Sequence, residues 1–309
     1  MLKAFDGTDG PTPEAWSKHS DALRVGLGAG DATDKRIEQL YLPVYFWCKA
    51  QRMKADGGKA TVMGISAPQG SGKSTLVHFL KERFAADGLQ CATVSYDDFY
   101  LTHAIQQRVA KNNDGNRLLE LRGNAGTHSV ALGAEVLQEL KHGPGRVRVP
   151  AYDKSLNDGQ GDRLAAEQWP EVPRPDVVLV EGWMAGFKPI GLEKAALVDS
   201  DLSAVDGALV DYEAWDTLVD AWVVLAVEDT ARVVNWRLQA EQQRRDQGLG
   251  AMSDEQLRDF VARFLPAYQA YLPALYKSAQ HGGVDGKPTL IGFLDAQRNP
   301  VDAPGEREL

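Results

Sequence analysis

Residues 67–74 read Ala67-Pro68-Gln69-Gly70-Ser71-Gly72-Lys73-Ser74, the pattern G-x-x-x-x-G-K-[ST] with alanine in place of the first glycine. The apolar run Val62-Met63-Gly64-Ile65 precedes it, and Leu76, Phe79, Leu80 and Phe84 follow at helical spacing. That is the strand, loop and helix such a motif needs. Gly70 and Gly72 let successive backbone N–H groups close around phosphate oxygens. Lys73 adds a point charge, Ser74 a hydroxyl for Mg²⁺, and a helix starting at Ser74 adds a favourable dipole. Gly70, Ser71, Gly72, Lys73, Ser74 and Thr75 are therefore the expected contacts of a nucleoside triphosphate and its Mg²⁺.

Working outward, five short apolar runs read as parallel strands buried on both faces: Thr61–Ser66, Cys91–Ser95, Val177–Val180, Ala221–Val227 and Thr289–Leu294. Helical segments separate them. The fold class is α/β: a P-loop NTP hydrolase-type wound parallel sheet with helices on both faces. Residues 1–57 form an N-terminal helical extension, with Thr12-Pro13 as cap and first-turn proline. Ile37, Leu40 and Tyr41 share a helical face before Pro43 interrupts it, and Asp56-Gly57-Gly58 marks the boundary. Residues 58–309 form the phosphate-loop domain, with polar lid or substrate insertions at about 101–170 and 236–252. Ser253-Asp254-Glu255-Gln256 is a capping box, and from about Asn299 the chain reads as a loose tail.

At 309 residues and 43% hydrophobic, the chain can bury a large core. A net charge of −9 speaks against a nucleic-acid surface. No apolar run approaches the length of a membrane span. Cys48 and Cys91 are the two cysteines, without metal-ligand spacing, which fits a reducing compartment. The expected partner is a small molecule, the expected state a monomer, and the expected location the cytoplasm, or the chloroplast stroma after removal of a transit peptide.

Ligands in open α/β sheets sit beyond the carboxyl ends of the strands. Ser95-Tyr96-Asp97-Asp98-Phe99-Tyr100 ends the second strand, so its carboxylates face the phosphate loop's rim. Phosphoryl transfer to an alcohol needs a carboxylate to orient the hydroxyl and take its proton. Asp97 is the candidate and Asp98 a metal or positioning group, unless the pair merely caps a turn. Glu181 closes the third strand, where an acid holds Mg²⁺ directly or through water; an isolated acid at a strand end is the plain alternative. Arg122, Lys154 and Arg163 lie in Gly-rich surroundings and suit a small anionic substrate, or are ordinary surface cations. His128 is a substrate donor, a helix-start residue or an interior histidine. Tyr100 and Tyr152 join the substrate set. Arg237, beside Trp236 in a segment that Gly248 and Gly250 loosen, is a candidate transition-state cation; Arg244 and Arg245 read as exposed helix arginines.

Residues 64–75, Asp-Asp-Phe-Tyr-Leu-Thr (97–102) and Glu-Leu-Arg-Gly-Asn-Ala-Gly-Thr-His (120–128) resemble plant-type D-glycerate 3-kinases. So do the segments 152–163, Glu-Gly-Trp-Met-Ala-Gly-Phe-Lys-Pro (181–189), Trp-Arg-Leu-Gln-Ala-Glu (236–241) and Arg-Asn-Pro (298–300). The similarity runs over about residues 40–300, and the 122–128 and 181–184 segments are specific to that family and its fungal relatives. The resemblance implies ATP-dependent phosphorylation of D-glycerate at its 3-hydroxyl, in plants the closing step of photorespiration. It matches Asp97 to the acceptor-side carboxylate, and Lys73 and Ser74 to the phosphate and Mg²⁺ positions. The rival readings are a uridine- or pantothenate-type kinase of the same wider group and a non-enzymatic nucleotide switch.

Overall fold

The computed structural model describes residues 11–27, 30–55, 57–246, 248 and 253–303. Asp56 of the expected boundary, Gly250, the first ten residues of the extension and the Arg244 side chain lie outside the described residues.

The extension supplies α1 (Pro13–Leu27), α2 (Asp31–Arg36) and α3 (Leu42–Lys54). Next come β1 (Thr61–Ser66), α4 (Lys73–Ala86), β2 (Cys91–Ser95), α5 (His103–Asn112) and α6 (Val130–His142). Two small antiparallel pairs follow: β3 (Val147–Arg148) with β6 (Glu171–Val172), and β4 (Tyr152–Asp153) with β5 (Asp162–Arg163). The remainder is β7 (Val177–Gly182), α7 (Leu192–Val198), α8 (Leu202–Leu209), α9 (Glu213–Asp216), β8 (Ala221–Val227), α10 (Arg232–Asp246), α11 (Asp254–Ala262), α12 (Leu265–Gln280), β9 (Thr289–Leu294) and β10 (Pro300–Val301). Among the described residues, no helix is long and apolar enough to cross a membrane.

The main sheet runs β10-β9-β8-β1-β7-β2, parallel throughout except for β10. All five expected strands are present. Side chains of β1 and β8 are buried along their whole length, as a sheet covered on both faces requires. Gly64 is fixed by packing: a Cβ there would lie 2.3 Å from the Trp222 ring, which fills that space from β8. The Val77, Leu80 and Phe84 face of α4 covers the sheet, and Tyr45 of α3 packs on Phe84 with ring centroids 5.3 Å apart.

Two expectations change. Pro43 does not end a helix; a π-turn over Ile37–Tyr41 leads into α3, and Pro43 sits in its first turn, where a missing N–H costs little. The chain beyond Asn299 is no loose tail through Ala303, because Pro300 and Val301 pair with Leu294 and Phe293, and Asn299 N–H bonds Asp295 at 2.8 Å. The polar insertions are structured: α5 and α6 lie within 101–170, and α10 covers much of 236–252.

The extension is fastened at two places. Asp87, at the end of α4, accepts bonds from Tyr45 and from Lys49 at 2.5 Å, with His19 3.5 Å away. Arg36 reaches the far end of the chain, donating to Gln297 O at 2.8 Å and Asn299 Oδ1 at 3.1 Å.

Candidate active site

The loop leaving β1 turns into α4 at Lys73, one residue before the expected start. Ser71 Oγ donates to Pro68 O at 2.7 Å and closes the loop on itself. Distant segments hold it from outside. Tyr268 Oη accepts the Gln69 N–H at 3.0 Å, and Arg298 Nε donates to Gly70 O at 2.6 Å. Gly70 has φ 78°, and a Cβ there would fall 2.7 Å from Trp236 Cβ, so conformation and contact both require glycine. Trp236 is itself anchored, its indole N–H on Ala296 O at 2.8 Å and the Arg298 guanidinium 5.0 Å above its ring. Lys73 Nζ lies 2.8 Å from Glu181, joining the loop to the end of β7.

Beyond β2, Ser95 caps a 3-10 turn over Tyr96–Phe99. Its Oγ accepts the Asp97 N–H at 3.2 Å, while Asp98 Oδ2 accepts the Ser95 N–H at 2.8 Å. Asp98 therefore spends one oxygen on the cap. Burial, joined by the nearby Asp97 and Glu181 charges and opposed by the Ser95 N–H, pushes its carboxyl up to about 6. The cap leaves Asp97 projecting to the rim, 2.5 Å from Lys154 Nζ. Burial alone would raise Asp97, but Lys154, the Tyr100 hydroxyl and more distant Lys73 together hold it below its ordinary value. Asp97 is thus an ionised carboxylate bordering the phosphate loop.

His128 stacks on Tyr100 with ring centroids 4.6 Å apart. Its Nδ1 is 2.5 Å from Tyr212 Oη, which accepts the Gly126 N–H at 3.3 Å. A tyrosine proton directed at Nδ1 puts the imidazole proton on Nε2. Burial lowers the His128 pKa to about 4, so the ring is a neutral donor. Its Nε2 is buried without a hydrogen-bond partner among the described residues.

The remaining candidates divide. Tyr152 meets Tyr100 edge-on at 5.2 Å, which brings the β4–β5 hairpin and Lys154 over Asp97. Arg122 supports this hairpin: it donates to Gly159 O at 3.0 Å and to Gln160 O, and lies 5.5 Å over the Tyr152 ring. Arg163 faces Tyr152 across the hairpin, half-buried, with Nη1 unpartnered among the described residues. Arg237 lines the phosphate-loop cavity together with Ser74 and Thr75, 5.9 Å from the Phe260 ring, its Nε buried and unpartnered among the described residues. Arg298, Trp236 and Tyr268 at the loop, and Tyr212 behind His128, are site residues that the sequence reading missed. Each acts through a contact at least 84 positions away or, for Trp236, through packing, which no local pattern announces.

A phosphate loop at the end of a parallel strand, facing an ionised carboxylate on the neighbouring rim, defines a P-loop nucleotide-binding protein equipped for phosphoryl transfer. Residues 62–196 match the phosphoribulokinase/uridine kinase family. The chain is 45% identical over 279 residues to the chloroplastic D-glycerate 3-kinase of Arabidopsis thaliana, covering 86% of this chain and 61% of that protein. It is 37% identical to an uncharacterized kinase of Schizosaccharomyces pombe, over 79% of this chain and 91% of the relative. Among solved structures it is similar to a D-glycerate 3-kinase from Cryptococcus neoformans, with TM-score 0.74 and 29% identity over 85% of this chain and 98% of that one. The chain belongs to the phosphoribulokinase/uridine kinase family of P-loop kinases.

Proposed function

We propose that this chain phosphorylates D-glycerate at the 3-hydroxyl with ATP, giving 3-phosphoglycerate and ADP. The observation that carries the reading is the ionised Asp97 beside Lys154, on the rim of the phosphate loop. The names borne by the Arabidopsis and Cryptococcus relatives support glycerate as the acceptor.

In this reading the loop amides and Lys73 hold the β- and γ-phosphates, and Lys73 leaves Glu181 to do so. Asp97 orients the 3-hydroxyl and takes its proton as the oxygen bonds to phosphorus and ADP departs. Lys154 and Arg163 receive the glycerate carboxylate, an acceptor suited to ammonium and guanidinium donors. His128 Nε2–H donates to a substrate oxygen, with Tyr100 and Tyr152 as walls. Arg122 keeps the hairpin in place, and Arg237 meets charge on the transferring group.

Among the described residues there is no cluster of three His, Cys, Asp or Glu side chains placed to hold a metal. Mg²⁺ keeps most of its waters and takes few protein ligands alongside phosphate oxygens. Ser74 and Glu181 would hold it, Asp98 standing behind them. When bound, the ion would neutralise charge on the β- and γ-phosphate oxygens. The reading places the chain in a reducing compartment, cytoplasm or stroma, in keeping with Cys48 and Cys91 as free thiols.

The test is ADP release with MgATP and a panel of D-glycerate, L-glycerate, uridine, pantothenate and ribulose 5-phosphate. Turnover with D-glycerate alone, yielding 3-phosphoglycerate, is expected. Turnover with another member and none with glycerate would reassign the substrate.

A further inference from the structure

The cavity at the phosphate loop has a volume of about 450 Å³, and one of its walls comes from outside the wound sheet. Thr33, Arg36, Leu40 and Tyr41 of the N-terminal extension line it, facing Leu225, Ala240 and Arg298. The phosphate-binding amides occupy only one end. The rest mixes apolar side chains with three guanidinium groups, those of Arg36, Arg237 and Arg298, the composition of a site for a flat ring attached to an anion.

Arg36 and Arg298 reinforce this. Both donate to neutral groups: Arg36 to Gln297 O and Asn299 Oδ1, Arg298 to Gly70 O and to Gln239 Oε1 at 3.2 Å. Neither is in an ion pair with a carboxylate among the described residues. Burial first, and then the charge of Arg36, draw the Arg298 pKa below its ordinary value, so the two cations crowd each other beside the phosphate loop. Two like charges without compensating carboxylates suit a polyanionic ligand. The wall itself is a π-turn, Ile37–Tyr41, a distortion found often at functional sites.

We propose that the segment Thr33–Tyr41 is a working part of the nucleotide site and takes the base and ribose of the bound nucleotide. Leu40, with Leu225 and Ala240 opposite, gives the apolar contact to the purine. Thr33, half-buried at the rim, limits how far the base projects. Arg36 fixes the wall to the loop that also holds Gly70, so the extension and the phosphate loop are set in one frame. The inference rests on the ATP-dependent reading above, and it turns an apparent appendage into a determinant of nucleotide affinity.

Calorimetric titration with MgATP and with magnesium tripolyphosphate, without glycerate, tests it separately from the acceptor assignment. Tripolyphosphate probes the loop alone, whereas ATP probes loop and wall together. Wild type should bind ATP at least about tenfold more tightly than tripolyphosphate. Thr33→Glu should weaken ATP by about tenfold or more and leave tripolyphosphate within about threefold. Leu40→Ala should weaken ATP and spare tripolyphosphate, whose retained binding also reports that the variant is folded. ATP bound no better than tripolyphosphate by wild type would overturn the proposal. So would unchanged ATP affinity in Thr33→Glu, or an equal loss of both ligands in that variant with its circular dichroism unaltered. Loss of glycerate turnover with intact ATP selectivity would instead count against the acceptor assignment alone.

Discussion

Replacing His128 by glutamine should remove a specific part of the protein's acid sensitivity. The imidazole is 5% exposed and its pKa falls from 6.5 to about 4 through burial. The fold accepts the neutral ring, while the unfolded chain protonates at the ordinary value. Between pH 6.5 and 4, unfolding therefore takes up a proton, and stability falls as pH falls through that window. A separation of about 2.5 units at about 1.4 kcal/mol each gives a full loss of about 3.5 kcal/mol, of which about 3 kcal/mol has accrued by pH 4. Glutamine keeps a polar group for Tyr212 and carries no titratable proton. Urea unfolding midpoints of both proteins, taken at intervals from pH 7.5 to 4, should diverge in slope, the wild type losing about 3 kcal/mol more. His19, also lowered by burial with Asp87 opposing, contributes with the same sign but is present in both proteins and cancels. Parallel curves would refute the assignment of His128 as a buried neutral donor.

Asp97→Asn should keep ATP affinity and lower kcat by about 100-fold or more, measured by ADP release; an unchanged kcat would remove Asp97 from the proton-transfer role. Lys154→Ala should move the acid limb of the kcat/KM profile to higher pH, because the ammonium at 2.5 Å helps to hold Asp97 ionised, and should raise the KM for glycerate. Gly70→Ala should lose about 1–3 kcal/mol of stability and weaken ATP binding, since its Cβ would meet Trp236 at 2.7 Å on a backbone with φ 78°; thermal melting with and without ATP reads both effects.

The sheet and its phosphate loop were legible because their signals are local. Apolar runs of strand length, a glycine-lysine turn and a following helical stripe need no distant partner to be recognised. Asp97 and Glu181 could be placed on the rim for the same reason, from strand ends alone. Partners remote in sequence were not legible. Nothing near His128 indicates that Tyr212 would set its tautomer, and nothing near Gly70 points to Arg298. Arg122 carries a contact of the same kind: its charge and glycine-rich neighbours suggested substrate, while its Nη1 donates to Gly159 O and Gln160 O. A charge alone does not reveal whether a carbonyl of the same chain has already claimed it. Pro43 misled because a proline is read as a helix breaker unless its position in the first turn is known.

The clasp of Arg298 on Gly70 spans 228 positions and has an implication for synthesis. A ribosome can release β1, the loop and α4 early, and these can collapse into native-like packing while translation continues. The loop's outer brace, however, emerges 228 positions after Gly70, together with the Gln297 and Asn299 groups that hold Arg36. The nucleotide cavity therefore takes its final shape only after residue 298 has been made. Polypeptides cut short before residue 298 would lack that brace however well their sheet had formed.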